Sequence, residues 1–222
     1  MTDYVAKIIL AFHANKNGEI AKAQADYMRN KFEFFGLKSQ ERRTLQSTYL
    51  KPESLPPKPE LSGIIKELWE QPQRELHYLG QELAKKYTRQ QEPSDIELYE
   101  HMVIHNSWWD TVDFIASHLM GSYFKIYPEL RYSYVDKWIT SGNIWLQRSA
   151  ILFQLKYKTD VDTDLLSYVI QPLLGSSEFF INKAIGWMLR EYSKTNHEWV
   201  ASYVSKTELT PLSRKEALRL IK

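Results

Sequence analysis

QRSAILFQLKY (147–157) and NKAIGWMLREY (182–192) align without a gap at an offset of 35 residues, placing Arg148 over Lys183 and ending both segments on a tyrosine. Outward from this pair the pattern continues: Tyr49, Tyr87, Tyr123, Tyr157 and Tyr192 are separated by 38, 36, 34 and 35 residues. That interval falls in the range of stacked helical repeats, in which each helix pair buries its apolar stripe against its neighbours. Nearly every segment between turn signals carries the 3.6-residue period, and alternating runs of β-branched residues are missing. The expected class is therefore all-α, a HEAT-like α-α superhelical repeat solenoid with a concave face suited to an elongated partner; a non-repetitive helical bundle is the alternative.

Helices are expected at about 4–14, 19–32, 39–50, 60–70, 72–87, 93–104, 107–123, 128–141, 143–157, 163–173, 177–194, 196–205 and 211–222. KPESLPPKPE (51–60) contains four prolines and reads as an extended linker. The expected organisation is one domain over 1–222, with an N-terminal helical cap over about 1–50, the linker at 51–60 and repeats over about 60–222.

Composition narrows the chemistry. With 25% charged and 43% apolar residues, 222 residues suit an ordinary globular core. Cysteine is absent, which excludes disulfides, thiolate metal sites and a cysteine nucleophile. A net charge of +2 is too mild to identify a nucleic-acid binder by itself. No apolar run reaches membrane-spanning length, and MTDYVAKIILAFHANK lacks the continuous core of a signal peptide, so a soluble, unprocessed, cytoplasmic chain is expected. Dinucleotide, P-loop, esterase-elbow and kinase signatures are missing. His101 and His105 stand four apart, but HMVIH lacks the glutamate of a zinc-protease helix, and no metal or cofactor is expected.

Three constellations carry possible chemistry. On the helix expected at 177–194, Ile181, Ala184, Ile185, Met188, Leu189 and Tyr192 share one broad face, while Lys183, Trp187, Arg190 and Lys194 follow i, i+4, i+7, i+11 spacing on the other. An aromatic plate among three cations suits a phosphate backbone; a solvated charged face whose tryptophan packs under a neighbouring helix is the alternative. In NSWWDTVDFIASHLMG (106–121), Ser107 and Asp110 form a weak capping box, and Trp108, Val112, Ile115 and Leu119 form the buried stripe. Trp109 and Asp113 are i, i+4 neighbours at its edge, able to hold a cation or a cation-like transition state, unless Asp113 only ties down a neighbouring helix. In NIWLQRSAILFQLKYK (143–158), apolar almost all round, Arg148 must find an anion, either an internal carboxylate or a ligand phosphate.

SWWDTVD, NIWLQRSAILFQLKYK, FFINKAIGWMLREYSKTN, LSRKEA and the amino-terminal ADYMRNKFEFFGLKSQERR (25–43) together resemble the DNA alkylation repair family of the AlkD type, essentially end to end. The resemblance implies a bacterial DNA glycosylase of HEAT-like repeats that releases N3- and N7-alkylated purines from duplex DNA. It implies a catalytic aspartate at Asp113 flanked by Trp109 and Trp187, an arginine gripping DNA beside the site at Arg148, and a tyrosine near the lesion at Tyr27. It further implies basic positions along the backbone at Arg43, Arg190 and Lys194, beside which Lys183 falls by spacing. No cofactor is implied, and the lesion is expected to stay stacked. Members of the family run somewhat further than Lys222, so a short tail is expected; a monomer bound to duplex DNA completes the expectation.

Overall fold

The computed structural model describes residues 1–221, and the expected helix end at Lys222 lies outside them. The chain divides into two compact units, Met1–Gln90 and Gln91–Lys222. Both are helical, and among the described residues the only β-type pairing is the isolated bridge between Glu33 and Gln73.

The first unit contains α1 (Asp3–Ala14), α2 (Gly18–Tyr27), α3 (Ser39–Ser47), α4 (Leu61–Trp69) and α5 (Arg74–Lys86). Its core is built from the apolar stripes of α1, α4 and α5, including Ile8, Phe12, Ile64, Leu68, Leu76 and Leu83, while α2 buries no residue and α3 only Arg42 and Gln46. The second helix is shorter than the expected 19–32. Arg29 and Asn30 adopt positive φ, and the chain beyond them is drawn to a buried carboxylate on α5. Glu75 accepts from the backbone N–H groups of Phe35 (3.1 Å), Gly36 (3.0 Å) and Leu37 (3.2 Å). Three charge-assisted bonds outweigh the local helical period there. The proline-rich segment is not plain extended chain: it forms the short 3₁₀ turns Pro52–Ser54 and Lys58–Glu60 inside this unit.

The second unit contains α6 (Asp95–Ile104), α7 (Trp109–Phe114), a π-helical segment (Ile115–Met120), α8 (Gly121–Ile126) and α9 (Arg131–Thr140). It continues through α10 (Ile144–Leu152), α11 (Thr163–Ile170), α12 (Phe179–Ser193), α13 (His197–Lys206) and α14 (Pro211–Ala217). Starts are set locally. The side chains of Asn143, Asp162, Asn196 and Thr210 each accept from a backbone N–H in the first turn that follows, and Pro211 occupies the first helical position. The apolar faces expected on α12 and on the segment after Trp108 are all buried.

Three of the five recurrent tyrosines share one task. Tyr87 donates its hydroxyl to the carbonyl of Pro56 within the first unit. In the second unit Tyr123 donates to Pro93 (2.9 Å) and Tyr157 to Gly121 (2.6 Å). Each phenol thus reaches back about one repeat, and burial holds all three above the usual tyrosine pKa. Tyr157→Phe keeps the ring and loses the bond, so it should cost about 1–2 kcal/mol. In urea denaturation the midpoint should fall at an unchanged slope.

Candidate functional site

The site belongs to the second unit and begins with the entry into α7. Ser107 does not cap this helix: its hydroxyl donates to the carbonyl of Val103 (2.5 Å), and Asn106 takes a positive φ. The expected Ser107–Asp110 capping box is therefore absent, and α7 starts after an extended Trp108. Trp108 turns inward, where its ring meets Trp145 of α10 at 5.6 Å and Phe180 of α12 at 5.2 Å; the latter two rings lie 5.0 Å apart. This three-ring cluster locks α7, α10 and α12 together, in offset and edge contacts that aromatic quadrupoles favour.

Beside the cluster, Arg148 grips Asp113 with two parallel bonds, Nε to Oδ1 at 2.7 Å and Nη2 to Oδ2 at 2.9 Å. The remaining guanidinium nitrogen, Nη1, donates to the carbonyl of Phe180 (2.5 Å), and the guanidinium carbon lies 5.9 Å from the centre of that residue's ring. Arg148 is only 3% exposed, while the Asp113 side chain keeps 15% of its surface open. Burial pushes the Asp113 pKa above its ordinary value, and the hydrogen bonds and charge of Arg148 oppose that shift. Of the two anions open to Arg148 on spacing alone, an internal carboxylate is the one it holds. A bidentate arginine uses one lone pair on each carboxylate oxygen, so Asp113 retains acceptor capacity toward its open side.

Asp113 is also the last polar residue before the helix widens. Its carbonyl accepts from the Ser117 hydroxyl (2.7 Å) inside the π segment, an interruption of a kind frequent at functional sites. The residue that follows the π segment must be glycine: a Cβ on Gly121 would lie 2.5 Å from the carbonyl oxygen of Phe153, part of the backbone just beyond α10.

The cationic wedge of α12 is less open than its spacing suggests. Lys183 and Arg190 are both engaged by Glu216 of α14, at 2.8 Å from Nζ to Oε1 and 2.5 Å from Nη1 to Oε2. The two cations draw the Glu216 pKa below its ordinary value. Lys194 is exposed and pairs with Glu191 (2.6 Å). Trp187 is half-buried on the same helix, between Lys183 and Arg190 in sequence, and Trp109 is half-buried on α7. Tyr27 and Arg43 belong to the first unit: Tyr27 ends α2 at 72% exposure, and exposed Arg43 lines a groove with Lys51 and Lys86. His105 bonds the His101 carbonyl through Nδ1 (2.9 Å), and among the described residues no three His, Cys, Asp or Glu side chains are grouped to hold a metal. Among the described residues no helix is long and apolar enough to cross a membrane.

Trp145, Phe180 and Glu216 escape the sequence reading. One signal was available for part of this: Asp113, Arg148 and Lys183 follow each other at the 35-residue repeat offset, and Glu216 comes 33 residues later. Residues one repeat apart occupy equivalent places on adjacent helices, which is how Asp113 meets Arg148 and Lys183 meets Glu216.

A helical repeat chain holding a buried carboxylate beside aromatic and basic residues has the features of an α-solenoid DNA-repair protein, and comparison with known proteins gives the same class. The sequence matches the family described as DNA alkylation repair enzyme over residues 8–221, and the chain belongs to that family. It is similar to a solved structure described as a predicted DNA alkylation repair enzyme from Enterococcus faecalis. The two share 31% sequence identity and a TM-score of 0.86, over 93% of this chain and 96% of that one. Among curated proteins no relative matches. The all-α expectation holds, and the fold is that of the α-solenoid repair enzymes.

Proposed function

We propose that this chain is a monofunctional DNA glycosylase that hydrolyses the N-glycosidic bond of cationic N3- and N7-alkylpurines in duplex DNA. The observation that carries the reading is Asp113, a mostly buried carboxylate held by Arg148 yet open on one side. Alkylation makes the purine cationic, so the bond electrons leave with a base that needs no proton. The charge that develops is on the deoxyribose, and a fixed carboxylate in a poorly solvated site stabilises it. Water adds to the sugar carbon opposite the departing base, and Asp113 accepts a hydrogen bond from that water and receives its proton or passes it to solvent. In this reading Trp109 and Trp187 pack against sugar and backbone and exclude bulk water. Tyr27, Arg43 and Lys194 contact DNA, Arg148 positions Asp113, and the protein acts as a monomer without cofactor on a lesion left stacked.

The test is a duplex oligonucleotide carrying one 7-methylguanine, incubated with protein and then cleaved at abasic sites with alkali. Strand scission supports the glycosylase; intact DNA together with retained duplex binding would move the chain to a non-catalytic DNA-binding role. The pH profile adds a sharper expectation. The carboxylate must be ionised, so the single-turnover rate should fall as pH drops through the Asp113 pKa, with a midpoint above the ordinary 3.8 because burial raises it. Arg148→Lys, which keeps the charge but loses the fork, should move that midpoint higher.

A further inference from the structure

Lys183 and Arg190 sit one helical turn either side of Trp187 on α12, the residue that the proposed function packs against the DNA backbone. Each already holds an anion, and it is the same one. Glu216 gives one carboxylate oxygen to each cation, and its side chain is only 11% exposed, against 38% for Lys183 and 21% for Arg190.

This carboxylate is built in rather than draped over the surface. A Cβ on Gly186 of α12 would lie 2.5 Å from the Glu216 Cβ and 2.8 Å from the Ser213 carbonyl oxygen, so α14 rests directly on the α12 backbone where a side chain is missing. The contact is fixed further by Ser213, whose hydroxyl donates to the Asn182 carbonyl (2.8 Å), and by Thr210, whose hydroxyl donates to Asn182 Oδ1 (3.1 Å). Glu216 therefore has little freedom to leave, and the two cations stay partly accessible around it.

We propose that Glu216 is an internal counter-charge that occupies Lys183 and Arg190 in place of DNA phosphates, lowering both the affinity of the protein for duplex DNA and the dependence of that affinity on salt. The proposal rests on the reading that this face of α12 meets DNA. Affinity for undamaged duplex comes chiefly from neutralised phosphates, so a carboxylate here limits binding that does not depend on the lesion. A merely structural Glu216 predicts the opposite sign, since loosening α14 would weaken binding.

The experiment measures binding of an unmodified duplex oligonucleotide across a salt series for the parent protein, Glu216→Gln, Lys183→Gln/Arg190→Gln and the triple variant, with thermal melting to verify folding. Glu216→Gln should bind more tightly, and its slope of log K against log salt should steepen by about 0.9 for each cation released. Over a drop from about 0.2 M to about 0.05 M salt, its advantage over the parent should grow by roughly 3.5-fold per cation. In the triple variant this gain should vanish. Lys183→Gln/Arg190→Gln should change the parental slope by less than one contact; a loss near two contacts, about 1.8, overturns the proposal even if Glu216→Gln fails to fold. An unchanged or shallower slope in folded Glu216→Gln also overturns it. Excision of 7-methylguanine by the parent is read separately and bears only on the glycosylase assignment.

Discussion

Asp113→Asn is expected to lower 7-methylguanine release by about 10²–10³-fold while duplex affinity stays within a few-fold of the parent. The asparagine keeps the size of the side chain and can still accept one of the two Arg148 bonds through its Oδ1, so the three-ring cluster of Trp108, Trp145 and Phe180 and the α7–α10 contact are expected to persist. What disappears is a full negative charge in a site where the side chain is mostly shielded from water. An effect present in the transition state and weak in the bound complex appears in the rate of the chemical step, so single-turnover excision beside a binding isotherm separates the two. A variant that retains the parental rate would remove Asp113 from the chemistry.

Arg148→Ala is expected to be the most destabilising of the site substitutions, by about 3–5 kcal/mol at neutral pH, because it leaves Asp113 buried and unpaired. The loss carries a pH signature. Without Arg148 the folded-state pKa of Asp113 rises further above its unfolded value, so the unfolded chain ionises at a pH where the folded protein resists it. Stability of the variant is then retained at low pH and lost as pH rises through the raised folded-state value. In the double variant Asp113→Asn/Arg148→Ala there is no carboxylate to strand, and the cost of removing Arg148 should be clearly smaller than in the single variant. Urea denaturation of the four proteins at two pH values measures both effects; equal costs in the two backgrounds would show that the pair is not energetically coupled.

How much of this was legible in the sequence follows from the range of the forces involved. Helix starts at Asn143, Thr163, Asn196 and Pro211 could be read to within a residue, because the capping side chains act on backbone only two or three positions away. The tyrosine period was legible for a different reason, since Tyr87, Tyr123 and Tyr157 repeat one contact about one repeat back. The early end of α2 was hidden because Glu75, which holds the 35–37 backbone, lies about 40 residues downstream and looks like any surface glutamate. The same limit governs the site. That Arg148 needed an anion was evident from its apolar helix, whereas which anion depended on how α7 packs against α10. Lys183 and Arg190 read as solvent-facing because Glu216 comes about 30 residues later in the chain, and nothing local in LSRKEA says that its carboxylate turns toward α12.

The π segment after Asp113 fixes a rotation between the site and the packing that follows it. A hydrogen-bonded loop from i to i+5 encloses one residue more than an α turn, so the run from Trp109 to Ile126 is an ordinary helix with about one residue inserted. Such an insertion rotates everything after it relative to what came before, and a single-residue deletion can undo it. The surplus residue lies between Asp113 and the Gly121 that rests on the Phe153 carbonyl. The surplus residue thus sets the angle between the carboxylate of Asp113 and the packed base that Gly121 and Phe153 form beneath it.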